Sequence, residues 1–236
     1  MTERVVIVGG TSGIGLATAQ RMVDSGREVV VTGRSAPKLD AALERLGKNA
    51  SGQNVDARDP GALADFFAGL GPVDHVVVTV TGAPGTTPFP ELTPAVAREG
   101  VEGKLLPHMA SAHAALPGLR GSLTFVTAAS AGAALPGTAA LAAVNAGIEA
   151  MVPVLAVELA PVRVNAVSPG VVDTGWWDFL GKARSAALAS AAAGTPVRRV
   201  GAPEDIAGAI AFMIENTFTT GVVLRVDGGA RLASAA

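Results

Sequence analysis

Seven residues near the N-terminus, Gly9-Gly10-Thr11-Ser12-Gly13-Ile14-Gly15, include four glycines and lead directly into a helical segment. Glycines let a chain turn tightly and approach a pyrophosphate closely, and the helix that follows offers free amides and the positive end of its dipole. The strand-like run Arg4–Val8 precedes this turn, which is the context that the motif needs. The sequence predicts a pyrophosphate site, the alternative being a purely structural turn. Its expected contacts are Gly9, Thr11, Ser12, Gly13, Ile14 and Gly15.

A second candidate group, Thr32-Gly33-Arg34-Ser35, follows the next strand-like run. Sites that bind NAD usually carry Asp or Glu here, which accepts a hydrogen bond from the 2′-hydroxyl of the adenosine ribose. No carboxylate is present, and Arg34 can pair with a 2′-phosphate. The sequence therefore predicts NADP as the cofactor. The alternative is that Arg34 is a solvated loop residue.

The elements that must position these groups alternate along the chain. The strand candidates are short runs, several of them nearly continuous in valine and isoleucine: Arg4–Val8, Glu28–Thr32, Ser51–Val55, His75–Thr79, Ser122–Thr127, Arg163–Val167 and Val222–Val226. Longer segments rich in Ala and Leu are the helix candidates: Ile14–Ser25, Pro37–Leu46, Pro60–Gly69, Ala95–Leu116, Thr138–Leu159 and Pro203–Glu215. This alternation predicts an α/β fold, a Rossmann-type doubly wound parallel sheet of about seven strands in a single domain, 1–236.

One long interruption, residues 174–200, contains Trp176, Trp177 and Phe179. We expect it to form a helical excursion that covers the substrate. Its aromatic residues could contact a small apolar substrate, pack within the excursion, or form an oligomer contact.

The composition limits the possible functions. Hydrophobic residues make up 49% of the 236 residues and charged residues 16%, so the chain can bury a large core. The net charge of −2 gives no reason to expect nucleic acid or a membrane as a partner. The chain has no cysteine, which excludes disulfides, thiolate catalysis and cysteine-bound zinc. The N-terminus does not resemble a secretory signal, so a cytoplasmic location is expected.

Residues 121–148 carry no charge and by length alone would suggest a membrane span. Gly132, Pro136 and Gly137 interrupt this stretch, and most of its residues are small. We therefore predict a buried strand followed by a buried helix.

Several motifs in a fixed order resemble the short-chain dehydrogenase/reductase family over essentially the whole chain. They are the glycines of the first turn, Asp56, the run Arg163–Thr174, and Val226-Asp227-Gly228-Gly229. The resemblance implies that Asp56 reaches the adenine amino group and that Pro169–Thr174 cradles the nicotinamide carboxamide and the pyrophosphate. The further cofactor contacts that we expect are Ala57, Gly82, Pro169, Gly170, Val172 and Thr174.

The resemblance fails where the family carries its chemistry. The family uses a tyrosine as general acid/base with a lysine four residues later, and these positions hold Leu141 and Asn145 here. The chain contains no tyrosine at all, so no other alignment can restore this acid. The family's serine falls on Ala128 or Ala129, with Ser130 nearby as a possible hydroxyl. The sequence therefore describes a divergent member with an atypical active site.

Lys104 aligns with the family's catalytic asparagine, so that asparagine and lysine have exchanged places between positions 104 and 145. A lysine in a partly desolvated cleft could polarise a carbonyl or lower the pKa of a neighbour, the alternative being a solvated lysine. His108 and Ser111 follow at helical spacing, and all three can share one face. We expect His108 to be a core or interface residue rather than a proton donor. No histidine has the spacing of a metal site.

Two functions remain open. The first is an NADP(H)-dependent oxidoreductase that acts on a small apolar carbonyl or alcohol, with a non-standard proton donor among Lys104, Ser130 and Asn145. The second is a protein that binds NADP(H) without redox activity, as a binding module or a non-redox catalyst. In either case the resemblance implies a homodimer or homotetramer formed through the helices near Ala95–Leu116 and Thr138–Leu159.

Overall fold

The structure is a computed structural model that describes residues 2–82 and 86–232, so residues 1, 83–85 and 233–236 of the predicted single domain lie outside it. Seven strands form one parallel sheet in the order β3-β2-β1-β4-β5-β6-β7. The strands are β1 (Arg4–Val8), β2 (Glu28–Gly33), β3 (Ala50–Asn54), β4 (Val73–Val78), β5 (Leu119–Val126), β6 (Arg163–Pro169) and β7 (Val223–Val226). The sheet confirms the predicted Rossmann-type fold, and each predicted strand is present within three residues of its expected bounds.

Helices cover both faces of the sheet, as its apolar strands require. They are α1 (Gly13–Asp24), α2 (Ala36–Leu46), α3 (Pro60–Leu70), α4 (Pro94–Gly100), α5 (Leu106–Ala115), α6 (Ala139–Glu158), α7 (Arg184–Gly194) and α8 (Pro203–Glu215). One core lies between the sheet and α3, α5 and α6, and the other lies between the sheet and α1, α2 and α8. Within β1, Val5 and Ile7 face one core while Val6 and Val8 face the other.

The order of the strands fixes where a ligand can bind. Strand β1 pairs with β2 on one side and with β4 on the other, so the chain reverses its direction of winding between β1 and β4. In open parallel sheets a crevice forms at such a reversal, beyond the carboxyl ends of the strands. The glycine turn, which follows β1 directly, lies at this place.

The predicted continuous helix Ala95–Leu116 is wrong in one respect. A π-helical turn, Val101–Leu105, separates α4 from α5. Pro107 explains the break, because proline has no N–H to donate to the carbonyl four residues earlier. The widened turn carries Lys104.

Helix α6 is long and apolar enough to cross a membrane by length and composition alone. It packs one face, with Val144, Ile148 and Val152, into the core and leaves Val154 and Val157 exposed. The predicted buried strand before it is confirmed as β5. The helix is buried on one face only, so the prediction of a buried helix was too strong.

Helical segments occupy residues 175–194 of the predicted excursion, 174–200. A 3₁₀ segment, Gly175–Ala183, bends at Gly181 and leads into α7. The rings of Trp176 and Trp177 meet edge to face with their centroids 4.6 Å apart, and Phe179 packs against Trp176 at 5.3 Å. The aromatic residues therefore contact one another, as one of the alternatives proposed.

Candidate active site

The turn after β1 requires its glycines. Gly9 has a φ of +91°, and a Cβ on it would lie 2.8 Å from Thr79 Oγ1. A Cβ on Gly15 would lie 2.3 Å from the Gly9 carbonyl oxygen, a distance that no real side chain tolerates. In α1 the amide of Leu16 is the first to donate to a carbonyl within the helix, that of Ser12. The earlier amides of the helix therefore have no intrahelical acceptor and can bind an anion.

Charged residues surround the place where the turn meets β2 and β3. A Cβ on Gly33 would touch the Thr11 side chain at 2.6 Å, which places Thr11 against the start of the loop that carries the exposed Arg34. Asp56 accepts from Arg58, with Oδ2 and the guanidinium nitrogen 2.6 Å apart. This arginine, and to a smaller extent Arg34, lowers the pKa of Asp56. Arg58 was missed by the sequence analysis, although its position two residues after Asp56 was a usable signal.

The opposite wall of the crevice is built from the end of β6. A Cβ on Gly13 would lie 3.4 Å from Thr174 Cγ2, so the glycine turn and the predicted Pro169–Thr174 cradle face each other. Gly170 lies against Asp227, whose Cα would be 2.8 Å from an added Cβ. Trp177 Nε1 donates to the Val172 carbonyl at 2.9 Å and ties the excursion to this wall. The structure therefore brings both halves of the predicted cofactor site together.

Lys104 lies inside the protein at the same edge of the sheet. Only 9% of its surface is exposed, so the alternative of a solvated lysine is wrong. Its Nζ donates to the Thr127 carbonyl at 3.3 Å, just beyond β5. Burial lowers the pKa of Lys104 to about 8, and the charge of Glu149 acts in the opposite direction. Gly82 packs against it, since a Cβ there would lie 3.5 Å from Lys104 Cβ.

His108 is fully buried one turn after Lys104. Burial, and next the charge of Lys104, lower the pKa of this histidine to about 3, so the ring is neutral and carries one N–H. Its Nδ1 is 2.8 Å from the Lys104 carbonyl and its Nε2 is 3.3 Å from that of Val126, so the closer contact assigns the proton to Nδ1. The ring also packs against Phe125 of β5, with the two ring centroids 5.9 Å apart, which agrees with the expected core role.

Asn145 and Ser130 meet beside the same loop. Asn145 Nδ2 donates to Ser130 Oγ at 3.2 Å and to the Leu141 carbonyl at 2.8 Å. The Asn145 side chain is almost fully buried, yet its Oδ1 has no hydrogen-bond partner among residues 2–82 and 86–232. Helix α6 packs on the π-helical turn, where a Cβ on Gly147 would lie 3.6 Å from Leu105. Lys104, Ser130 and Asn145 therefore converge on the segment 127–130.

Two observations show that a dinucleotide fits this crevice. The glycine turn leaves no room for side chains but presents free amides, as a pyrophosphate requires. The Oδ1 of Asn145, which has no partner among the described residues, can accept a hydrogen bond from a hydroxyl of a bound ligand. Such a bond would remove the cost of about 1–3 kcal/mol that a buried acceptor without a partner carries.

Comparison with known proteins decides the family. A family model described as Enoyl-(Acyl carrier protein) reductase matches residues 8–231. Short-chain dehydrogenase/reductase ATR9 of Stachybotrys chlorohalonatus is 29% identical, over 98% of this chain and 97% of its own length. The chain belongs to the short-chain dehydrogenase/reductase family.

Two further relatives of this short-chain dehydrogenase/reductase cover it almost completely. Cis-4-hydroxycyclohexanecarboxylate dehydrogenase of Sinomonas cyclohexanicum is 30% identical, over 96% of each chain. A crystal structure of a small-chain dehydrogenase in complex with NADPH superposes with a TM-score of 0.85 at 32% identity, over 98% of this chain and 100% of that one. The bound NADPH of that relative agrees with the cofactor predicted from Arg34.

Proposed function

We propose that this short-chain oxidoreductase binds NADP(H) and reduces a small apolar carbonyl, or oxidises the corresponding alcohol, with Lys104 as the proton donor. The observation that carries the proposal is the buried Lys104, whose pKa is about 8, at the carboxyl edge of the sheet beside Asn145 and Ser130. Leu141 and Asn145 align with the family's tyrosine and lysine, so we expect another group to donate the proton to the substrate oxygen.

We assign the cofactor to the residues of the crevice. The amides of the turn Gly9–Gly15 would hold the pyrophosphate, Arg34 the 2′-phosphate, and Asp56 with Ala57 the adenine. The segment Pro169–Thr174 and Gly82 would border the nicotinamide. When bound, NADPH supplies the hydride.

The chain's own residues supply the proton. When the carbonyl carbon accepts the hydride, its oxygen becomes negative and takes a proton from the Lys104 ammonium. The N–H bond breaks, an O–H bond forms, and the neutral amine regains a proton from water. A pKa of about 8 makes Lys104 a stronger acid than an ordinary lysine while it remains mostly protonated at neutral pH. Ser130, which accepts from Asn145, would donate its hydroxyl to the same oxygen.

The excursion supports an apolar substrate. Trp176, Trp177 and Phe179 form one aromatic cluster, and Phe179 remains 46% exposed. Such a surface contacts apolar groups of a ligand and excludes water from the reacting atoms.

Turnover tests the proposal directly. The full chain is mixed with NADPH and a panel of small apolar ketones, aldehydes and enones, and the NADPH absorbance is followed. Lys104→Met is expected to lower kcat by about 10²- to 10⁴-fold, the usual contribution of a general acid, while the Kd for NADPH stays unchanged. Lys48→Met, which removes an exposed lysine remote from the site, is the matched control. Wild-type turnover in Lys104→Met would refute the role of Lys104.

The absence of tyrosine keeps the second function open. A protein that binds NADPH tightly but oxidises none of it on a broad panel would be a binding module or a non-redox catalyst. That result would refute the proposed reductase activity.

We also propose that the chain forms a homodimer or homotetramer. Helices α5 and α6 expose apolar side chains, among them Leu106, Met109, Val154 and Val157. Exposed apolar side chains on neighbouring helices favour association with a second copy. Light scattering after gel filtration gives the mass, and a monomer would contradict this proposal.

A further inference from the structure

A buried carboxylate lies behind the proposed proton donor. Glu149, on α6 and one turn after Asn145, forms a two-pronged ion pair with Arg225 of β7, with both nitrogen–oxygen distances at 2.6 Å. Its Oε1 also accepts from the hydroxyls of Thr127 and Ser168, each at 2.9 Å. The Glu149 side chain is only 10% exposed and that of Arg225 26%. Residues from α6, β6 and β7, together with Thr127 just beyond β5, therefore meet at one carboxylate.

Thr127 joins this carboxylate to Lys104. Its hydroxyl donates to Glu149, while its carbonyl accepts from Lys104 Nζ. The backbone of Thr127 is fixed as well, because its amide donates to the Val167 carbonyl at 2.9 Å. The same residue thus contacts Glu149 through its hydroxyl and the Lys104 ammonium through its carbonyl. A change in the contact of its side chain with Glu149 is expected to affect the position of that carbonyl.

The titratable and charged groups near Lys104 and its partner Glu149 lie on three elements. Glu149 on α6 favours the protonated amine. Arg225 on β7 pairs with Glu149. His108 on α5 stays neutral because burial, and next the charge of Lys104, lower its pKa to about 3. Glu149 is thus the negative charge that opposes the effect of burial on the pKa of Lys104.

We propose that Glu149 is a positioning residue, which holds Thr127 in place and keeps the Lys104 ammonium protonated in the active site. Its function in catalysis rests on the proposed role of Lys104 as proton donor, whereas its effect on the charge of Lys104 does not. The Arg225 partner, which pairs with both carboxylate oxygens of Glu149, limits this effect.

The experiment titrates the lysines by nuclear magnetic resonance. The sequence has four lysines, Lys38, Lys48, Lys104 and Lys182, so protein labelled with ¹³C at lysine Cε gives four resonances, and Lys104→Met assigns one. In Glu149→Gln, which keeps the shape of the side chain, the titration midpoint of Lys104 is expected to fall by about one pH unit or more. The resonances of the other lysines serve as internal controls and are expected not to move.

A second variant changes the charge in the opposite direction. Arg225→Met leaves Glu149 without its cation, so the midpoint of Lys104 is expected to rise. Thr127→Val removes only the hydroxyl and is expected to weaken the contact between Lys104 and the Thr127 carbonyl without removing a charge, which gives a smaller fall. If Glu149→Gln does not fold, the opposite directions of these two variants still test the proposal. An unchanged Lys104 midpoint in the folded variants would overturn it.

Kinetics then separate this proposal from the proposed function. The alkaline limb of the kcat profile is expected to move down in pH with the Lys104 midpoint in Glu149→Gln, with KM little changed. A shifted midpoint with an unshifted kcat profile would overturn the catalytic role of Glu149. A chain that never turns over would refute the reductase, while the resonance titration would still report on Glu149.

Discussion

Replacement of Lys104 by methionine is expected to stabilise the protein at neutral pH. Methionine has a similar length and no charge, so it fills the same space without the penalty of a buried ammonium. Burial lowers the pKa of Lys104 from 10.5 to about 8. Each tenfold change in proton affinity corresponds to about 1.4 kcal/mol, so the penalty is about 3 kcal/mol. The variant also loses the hydrogen bond to Thr127, which destabilises it by about 1 kcal/mol. The net gain in the free energy of unfolding is therefore roughly 2 kcal/mol.

The pH dependence of this gain follows from the sign of the pKa change. Between pH 8 and 10.5 the folded wild type has released the Lys104 proton while the unfolded chain still holds it. The unfolded state binds more protons there, so the wild type becomes more stable as the pH rises. The penalty is therefore complete below pH 8 and absent above pH 10.5, and the advantage of Lys104→Met is expected to disappear over this window.

Urea unfolding of both proteins at a series of pH values, at one protein concentration, measures this difference. In thermal unfolding below pH 8, the same gain in stability is expected to raise Tm by roughly 4–8 °C for a chain of this size. Lys48→Met is the control, because it removes an exposed lysine and should change the stability by the same small amount at every pH. An advantage of Lys104→Met that does not depend on pH, or a loss of stability at pH 7, would refute the assignment of a buried ammonium.

Three further results are expected. Gly15→Ala should weaken NADPH binding and cost about 1–3 kcal/mol of stability, because its Cβ would meet the Gly9 carbonyl at 2.3 Å; wild-type affinity in a titration would contradict this. His108 should keep the ¹⁵N shifts of a neutral ring through pH 6.5, where an ordinary histidine gains a proton, because burial lowers its pKa to about 3; a midpoint near 6.5 would show that it is solvated. Trp177→Phe removes the hydrogen bond to Val172 and should raise the KM for an apolar carbonyl more than it lowers kcat. Unchanged kinetics would show that the excursion does not contribute to substrate binding.

The signals that predict the cofactor half of the site are local. The turn Gly9–Gly15 lies between the strand and the helix that give it meaning, so a short stretch of sequence contains the whole motif. The same holds for Arg34, which follows β2 directly. Strands β1, β2 and β4 were predictable because nearly continuous valine runs in a parallel sheet mark burial on both faces.

The proposed catalytic half of the site depends on contacts between distant residues. Glu149 and Arg225 are 76 positions apart, and neither belongs to a motif, so nothing in the sequence pairs them. The burial of Lys104 follows from the packing of the π-helical turn against β5 and α6, which a helical periodicity cannot show. Pro107 was the one local signal of that turn, and the prediction of a continuous helix overlooked it.

Calorimetric titration of the full chain with NADPH and with NADH tests the cofactor site most directly. NADPH is expected to bind more tightly than NADH. Arg34→Asp should weaken NADPH binding by about 10- to 100-fold, because a charge-assisted hydrogen bond to the 2′-phosphate is lost, and should change NADH binding much less. Equal effects on both nucleotides would contradict the role of Arg34, and the absence of binding heat with either would contradict a dinucleotide site at the glycine turn.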